Sequence, residues 1–471
     1  DWQLSLLSLE GINTNSGLCC MKNKILFSLF ALLFLHFPAN YCQIERKAKV
    51  NDTTYMLTYD HGGLILWGSD HFRERLGNAI DWLDKYPSFK IGLDNEAHIY
   101  DYFAENEPQM LEELNGYLRK YNGRFGIGSC TYGQPLSQFI NDESNIRQIS
   151  YALRAGRRHL NYRPPVYLMS EHAMHSQIPQ ILKGFGFDGA IMRTHFMMYG
   201  YNPVFNTPIG WWIGLDGTKI PTIPTYPGQG AAFGKTTMDT WILTRYPSEE
   251  SPEPMESFRK KFRHINPLLA SRADDSGLRR EELVKEYEKK PRYSWILLDD
   301  LLGKYPEPLS DMVTKPDDFT VRMPWGYCGN EIWNESRKAE TKILTAEKLA
   351  AIESISGGKS YLDDIDISWK SLLLAQHHDI QICGLLPESR KLIPESLISS
   401  QKVIDQSMRF FSENMHGEGL RQVTVFNPLS WKQSRWIFAD IVTSPENERY
   451  FVAKCGNRQI PARIISANRN S

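Results

Sequence analysis

Apolar runs that predict strands alternate with amphipathic stretches that predict helices from about Thr54 to Pro324, and this order constrains the fold most strongly. The predicted strands are residues 55–59, 89–93, 124–128, 165–170, 189–192 and 294–298. A repeated strand–helix order is typical of a parallel sheet with helices packed against it. The sequence therefore predicts an α/β fold, and a β/α barrel over residues 48–328.

Polar side chains follow the ends of most of these predicted strands. The polar segments are Asp60-His61-Gly62-Gly63, Asp94-Asn95-Glu96, Glu171-His172, Arg193-Thr194-His195 and Asp299-Asp300. The carboxyl ends of parallel strands meet at one face of an α/β barrel, and barrel enzymes carry their active sites there. These segments therefore predict a polar site at that face.

A different pattern begins near Ile332. Apolar residues at helical spacing predict three consecutive helices, so residues 329–415 are expected to form a three-helix bundle. The second helix ends at His377-His378-Asp379, and imidazole nitrogen and carboxylate oxygen are both good zinc ligands. From Gln422 the apolar spacing changes to two, which predicts that residues 416–471 begin a β-domain.

The amino-terminal residues read as a targeting segment. Residues 1–20 are expected to be upstream read-through, and residues 21–42 a signal peptide. Two lysines precede an apolar run from Ile25 to Phe37 that is too short for a spanning helix, and cleavage is expected before Gln43. We expect an exported protein, secreted or periplasmic, that has no membrane attachment after cleavage; a membrane anchor is the alternative.

Composition excludes several classes of function. The 471 residues include 54 Lys and Arg and 55 Asp and Glu, which gives a net charge of -1. This balance provides no basic surface for nucleic acid or for an anionic membrane. The 7 cysteines form no Cys-x-x-Cys pair, so the sequence predicts neither a zinc finger nor a disulfide framework.

Five segments, in order along the chain, resemble glycoside hydrolase family 38, the class II α-mannosidases. They are Glu143–Gln148, Glu171–Ser176 with Pro179–Leu182 after it, Leu297–Asp300, Gln376–Asp379 and Val425–Ser430. The resemblance runs from about residue 54 to the end of the chain. It implies a seven-stranded β/α barrel, a three-helix bundle and a β-sandwich of which the chain holds only the start.

The resemblance also implies one zinc ion per chain that holds the hydroxyls of a terminal mannose. The first motif of the family is His-x-Asp, with both residues on zinc, and the matching positions here are His61 and Gly63. Because the aspartate is missing, Asp60 is the expected substitute. The expected ligands are therefore His61, Asp60, Glu171 and His378.

The catalytic carboxylates follow from the same resemblance. A retaining glycosidase needs a carboxylate nucleophile and a carboxylic acid about 5–5.5 Å apart. Glu171 is expected to attack the anomeric carbon, although the family carries Asp there. One extra methylene moves a carboxylate by about 1 Å, which can lower a rate about 100-fold, so weakened activity is expected. Asp300, kept protonated by neighbouring Asp299, is expected to donate the proton.

Further residues are expected to contact the sugar or to orient the ligands. The catalytic and ligand residues named above, and the aromatic residues, also have structural interpretations. Glu171 and the Asp299-Asp300 pair could be helix caps, His61 could be a buried histidine bonded to the main chain, and the aromatic rings could be core. The expected substrate-binding residues are Arg193, Trp67, Trp212, Tyr226, His377 and Asp379.

The predicted function is removal of α-linked mannose from a mannose-containing glycan by a retaining, zinc-dependent hydrolase. One alternative is a non-catalytic sugar-binding relative whose metal ligands have changed. The other is a metal-dependent polysaccharide deacetylase on a similar barrel, which would release acetate and form no glycosyl-enzyme.

Overall fold

The fold is that of a computed structural model, which describes residues 53–61, 63–168, 174–192, 200–201, 203, 205–224, 239–240, 259–273, 278–305, 307–321, 329–382, 386–414, 423–440 and 452–465. The predicted read-through and signal peptide lie outside these residues. Within them, no helix is both long enough and apolar enough to cross a membrane.

The described strands are short, and most of them are parallel to their neighbours. They are β1 (Thr54–Asp60), β2 (Ile91–Leu93), β3 (Phe125–Ile127), β4 (Val166–Tyr167), β5 (Gly189–Ile191), β6 (Gly200–Tyr201), β7 (Gly210–Ile213), β8 (Lys219–Ile223), β9 (Asp239–Thr240), β10 (Leu268–Ala273), β11 (Tyr293–Ile296), β12 (Asp311–Val313), β13 (Thr320–Val321), β14 (Ala453–Cys455) and β15 (Arg458–Ile460).

The helices lie between these strands and in a run after β13. They are α1 (Leu64–Lys85), α2 (His98–Asn106), α3 (Pro108–Lys120), α4 (Asp142–Leu160), α5 (Ile178–Phe185), α6 (Glu281–Glu288), α7 (Leu298–Leu301), α8 (Gly329–Ile355), α9 (Leu362–Ala375), α10 (His378–Ile382) and α11 (Leu386–Asn414), with short 3-10 turns at Leu302–Lys304 and Pro316–Asp318.

One curled parallel sheet carries the candidate site. Its order is β3-β2-β1-β10-β9, and β11 pairs with the first half of β1 beside the β2 edge. Strand β1 is rich in aromatic and β-branched residues and is almost wholly buried, as expected for a central strand covered on both faces. The register pairs Asp60 with Leu93 on β2 and with Ala273 on β10, so these strand ends lie side by side.

Local sequence explains the helix ends. Helix α4 carries Asp142 and Glu143 in its first turn and Arg157 to His159 in its last, an arrangement that complements the helix dipole. It ends at Asn161, whose φ of 51° is the left-handed conformation common at helix ends. Helix α3 begins with Pro108, which is well suited to a first helical position.

The three long helices after β13 pack on one another and share their core with the sheet. Trp369 and Leu372 of α9 belong to the same buried cluster as Met56 of β1 and Tyr132 of the loop after β3. A partly buried ion pair crosses the same boundary, because Lys370 Nζ lies 2.9 Å from Asp101 Oδ2, while His159 Nε2 of α4 lies 2.7 Å from Asp101 Oδ1 on the sheet side. The bundle and the sheet are therefore packed as one body.

Two parts of the predicted architecture differ from the structure. A closed seven-stranded barrel is not seen among the described residues; the parallel strands divide into the curled half-barrel sheet and a second sheet of order β12-β7-β8-β5-β4. Strands β7 and β8 are antiparallel, because the chain reverses at Gly217, where φ is 83°. A β-sandwich is not seen either: described residues 423–440 form no strand, and β14 and β15 form only an exposed hairpin.

Candidate functional site

The first part of the site lies where β1 and β2 end. His61 follows β1, and its ring Nδ1 lies 3.1 Å from the main-chain oxygen of Asp94 and 3.4 Å from Asp94 Oδ2. The main-chain N–H of Asp94 donates to Asp60 O over 2.7 Å, which fixes the two strand ends relative to each other. His61 is 7% exposed and Asp94 is 1% exposed, so both side chains lie below the surface.

The second part is the turn between α9 and α10. His378 Nδ1 lies 2.8 Å from the main-chain oxygen of Gln134, and the His378 N–H donates to the same oxygen over 3.1 Å. Gln134 has a φ of 45° and its side-chain Nε2 donates to Asp94 O over 2.9 Å. One residue therefore connects the end of β2 to the His-His-Asp turn.

These hydrogen bonds determine which ring nitrogen carries the proton. A main-chain carbonyl can only accept, so Nδ1 of both His61 and His378 carries a hydrogen, and in the neutral rings the lone pair lies on Nε2. His377 is different, because its Nδ1 accepts from the N–H of Asp379 over 3.1 Å. A histidine that binds metal commonly donates its other ring N–H to a carbonyl or carboxylate, and His61 and His378 have this arrangement.

The ligand atoms of His377, His378 and Asp379 are close enough to share one ion, and the ring of His61 lies against that of His378. The rings of His61 and His378 stack with centroids 5.8 Å apart, and those of His377 and His378 are 4.3 Å apart. Asp379 Oδ2 lies 3.6 Å from His378 Nε2. One ligand atom from each of His377, His378 and Asp379 falls within 4.8 Å of the other two, so this triad could hold a metal ion.

A third buried carboxylate lies beside Gly63. Glu96 is 0% exposed and follows β2 two residues after Asp94. A Cβ atom on Gly63 would lie 2.4 Å from Glu96 Oε2 and 3.0 Å from Glu96 Oε1. The carboxylate of Glu96 therefore fills the space in which a side chain at position 63 would begin.

A buried polar network holds the His-His-Asp turn from below. Gln376, the last residue before the pair of histidines, donates from Nε2 to Ser144 Oγ over 2.8 Å and to Ser336 Oγ over 3.2 Å. Gln148 donates to Leu373 O over 2.9 Å and accepts from the Gly133 N–H over 2.7 Å. The turn is thus fixed from α4, α8 and the loop after β3 at once.

Comparison with known proteins gives a partial family match and a similar fold. The sequence model of glycosyl hydrolase family 57 matches residues 29–209, which is less than half of the chain. No curated protein matches the sequence. Family 38, which the motifs resemble, is therefore not the family whose model matches.

Solved structures match over a longer stretch. An α-mannosidase from Enterococcus faecalis V583 has a TM-score of 0.56 and 17% identity over 77% of this chain and 43% of that protein. A glycosyl hydrolase family 38 protein from Enterococcus faecalis has a TM-score of 0.51 and 18% identity over 77% of this chain and 40% of that protein. This chain spans about two-fifths of the length of either.

The chain has a glycoside-hydrolase-like fold. A peptidoglycan deacetylase from Bacillus subtilis matches more weakly, with a TM-score of 0.29 and 12% identity over 54% of this chain and 92% of that protein. At 17% and 18% identity, the likeness to the two Enterococcus faecalis proteins extends to the fold alone.

Within that glycoside-hydrolase-like fold, the predicted acid pair does not meet the histidines in the described contacts. Asp300 Oδ2 lies 3.1 Å from Lys90 Nζ, and Asp299 Oδ1 accepts from the Tyr162 hydroxyl over 2.5 Å. Lys90 precedes β2, whereas Asp94 follows it, and four residues of strand span about 13 Å. Partial desolvation, followed by repulsion from Asp300, raises the pKa of Asp299, while the bond from Tyr162 lowers it.

The remaining predicted residues divide into three groups. Glu171, Arg193, Tyr226 and the side chain of Trp67 lie outside the described residues, so their roles stay predictions. Asp60 forms a buried ion pair with Arg75 of α1, a contact that favours a structural role. Trp212 is fully buried and donates from Nε1 to Thr314 Oγ1 over 2.9 Å, which favours its interpretation as core.

Three residues of the site were given no role from the sequence: Asp94, Glu96 and Gln134. Asp94 and Glu96 carried a signal, because they follow a predicted strand directly. Gln134 carried none, since its role depends on a main-chain oxygen and a left-handed φ that sequence does not display.

Proposed function

We propose that this chain is the catalytic part of a zinc-dependent glycoside hydrolase that removes α-linked mannose from a glycan. The observation that carries the proposal is the pair His61 and His378, whose Nδ1 atoms are bonded to main-chain carbonyls beside buried carboxylates. The likeness to an α-mannosidase fold supports the choice of sugar. Export through the predicted signal peptide is part of the same proposal.

The donor set fits zinc on chemical grounds. Two imidazoles and one or two carboxylates are a common zinc ligand set, and buried main-chain partners hold the rings in the required tautomer. His61 and His378 would hold the ion, together with Asp379 and one more carboxylate. Bound zinc would supply a template for neighbouring hydroxyls of the sugar.

The protein side chains would carry out the bond exchange. In the retaining pathway Glu171 attacks the anomeric carbon as the bond to the leaving oxygen breaks, and a carboxylic acid protonates that oxygen. Water then releases the sugar, with the same acid acting as base. Asp300 is the predicted acid. Asp274 and Asp275 are the alternative acids to test, because they follow Ala273 of β10, which pairs with Asp60 at the end of β1.

Hydrolysis of aryl glycosides by the full-length protein tests the proposal. We expect turnover of an aryl α-mannoside, its loss in Glu171→Gln, and its loss with zinc retained in Asp300→Asn. If Asp274→Asn or Asp275→Asn lost turnover while Asp300→Asn kept it, the role of catalytic acid would be assigned to Asp274 or Asp275 instead of Asp300. Sugar binding without turnover, or acetate release from an acetylated glycan, would overturn the proposal in favour of the sugar-binding or deacetylase alternative.

A further inference from the structure

Gly63 stands where the His-x-Asp pattern has its second ligand, and its backbone does not require glycine. Its φ of -88° and ψ of 164° are extended values that any residue adopts. A side chain at position 63 would meet Glu96 instead, because a Cβ atom there would lie 2.4 Å from Glu96 Oε2 and the carboxylate would have to move. The observed position of the Glu96 carboxylate is therefore compatible with glycine at 63 and not with a larger residue.

Hydrogen bonds fix the backbone on both sides of Glu96. The Asp94 N–H donates to Asp60 O over 2.7 Å before it, and the Ala97 N–H donates to Thr131 O over 3.0 Å after it. Glu96 is 0% exposed, and an ionised carboxylate is stable at such a position only with hydrogen bonds, an ion pair or a metal. His61 and Asp94, which contact each other, lie two residues away on either strand end.

We infer that Glu96 supplies the carboxylate ligand that the His-x-Asp pattern would place at position 63. The carboxylate has moved from the segment after β1 to the segment after β2, and the absence of a side chain at 63 leaves room for it. The resulting ligand set is His61, Glu96, His378 and Asp379, with Asp60 left to its ion pair with Arg75. This inference rests on the proposed function, because it concerns the same metal.

Metal binding by the full chain tests the inference without relying on activity. Zinc per chain and zinc affinity, by competition with a chromophoric chelator, are measured for the wild type, Glu96→Ala, Glu96→Gln, Gly63→Asp and the double variant Gly63→Asp/Glu96→Ala. We expect each single change to weaken zinc binding at least about 100-fold, more than a residue that only supports a ligand. The double variant should recover affinity to within about tenfold of the wild type, because it restores the His-x-Asp arrangement.

Control variants separate the possible failures. Glu353→Gln removes another buried carboxylate, hydrogen-bonded to Tyr361 in the bundle, and should leave zinc affinity unchanged. Zinc bound normally by Glu96→Ala and Glu96→Gln but lost in His378→Ala would overturn the Glu96 assignment alone. Absence of zinc from the wild type would overturn the zinc part of the proposed function. Circular dichroism confirms that each variant is folded, and the double variant distinguishes a ligand from a purely structural glutamate.

Discussion

Single residues decide the chemistry of this site, and Gln134 shows how. A non-glycine residue at a φ of 45° is uncommon, and such a conformation costs about 1–3 kcal/mol. It turns the main-chain oxygen of Gln134 to His378 Nδ1 while the side chain reaches Asp94 O. Gln134 therefore sets the tautomer of His378 directly. It also positions the Asp94 carbonyl, which sets the tautomer of His61.

We expect Gln134→Ala to reduce zinc affinity about 10–100-fold, the usual cost of losing a group that supports a metal ligand. The substitution removes the hydrogen bond from Gln134 Nε2 to Asp94 O. That carbonyl oxygen also binds His61 Nδ1, so the orientation of the His61 ring becomes less fixed. Chelator competition measures the change. Asn161→Ala is the matched control, since Asn161 also has a positive φ of 51° but caps α4. If both variants kept wild-type affinity, Gln134 would have no positioning role.

His175 gives the pH dependence of stability a residue-scale origin. Burial lowers the pKa of His175 from 6.5 to about 4, and Asp142 opposes this shift. Because the unfolded histidine binds a proton first, the contribution of His175 to stability should fall as pH drops from about 6.5 to about 4, and this contribution should change no further below. The loss should approach about 3 kcal/mol. Urea unfolding of the wild type and His175→Gln across this range measures it; equal slopes would exclude His175 as the cause.

The sequence predicted individual site residues only where the pattern lies within one short segment. His61 follows a strand, and the His-His-Asp triplet ends a helix, so both could be found by pattern. The relation between Gly63 and Glu96 depends on contact between two strand ends, and no pattern within either segment contains it.

At the scale of elements, apolar spacing was a good guide to what was buried. Strand β1 lies at the predicted strand 55–59, α3 and α4 lie in amphipathic stretches between predicted strands, and α9 lies in the stretch 329–415 for which three helices were predicted. Apolar spacing does not distinguish α2 from α3, since only Glu107 separates the two helices and the buried Asp101 interrupts the apolar pattern of α2. The β7–β8 hairpin was missed because its short strands lie in a stretch without a clear period.

Close approach between a sheet loop and α9 gives an element-scale prediction. A Cβ atom on Gly133 would lie 2.1 Å from the main-chain oxygen of Leu373, so Gly133→Ala must separate the loop after β3 from the bundle. We expect a loss of about 1–3 kcal/mol in the free energy of unfolding, as for overpacking. Denaturant titration measures it.

Gly116→Ala is the matched control for this prediction. Gly116 lies inside α3, and no neighbouring segment of the described chain comes within 4 Å of where its Cβ atom would lie. Alanine there should therefore stabilise the protein by about 0.5–1 kcal/mol. Opposite signs for the two substitutions would support tight docking of the loop on α9. A neutral Gly133→Ala would mean that the loop moves away at no cost.

The whole molecule brings its two parts together at the site. The sheet provides His61 and Glu96, and the bundle provides His378 and Asp379, while a shared core and the Asp101–Lys370 pair join the two parts. Sequence predicted both parts separately. It did not predict that the parallel strands form a half-barrel beside a second sheet, because strand pairing is non-local and the runs alone do not specify their neighbours.

A ligand held by both parts should stabilise the whole molecule. Zinc at 100 times its dissociation constant should add about 2.7 kcal/mol to the free energy of unfolding, because it binds only the folded site. For a chain of this size that corresponds to a rise of about 3 °C in the unfolding temperature.

Thermal unfolding of metal-free protein with added zinc measures the shift. Magnesium, which prefers oxygen ligands, is the matched control ion and should give none. His378→Ala removes a ligand of the bundle and Glu96→Ala removes a ligand of the sheet, so each variant should lose the zinc-induced shift. An undiminished shift in His378→Ala would mean that zinc binds elsewhere.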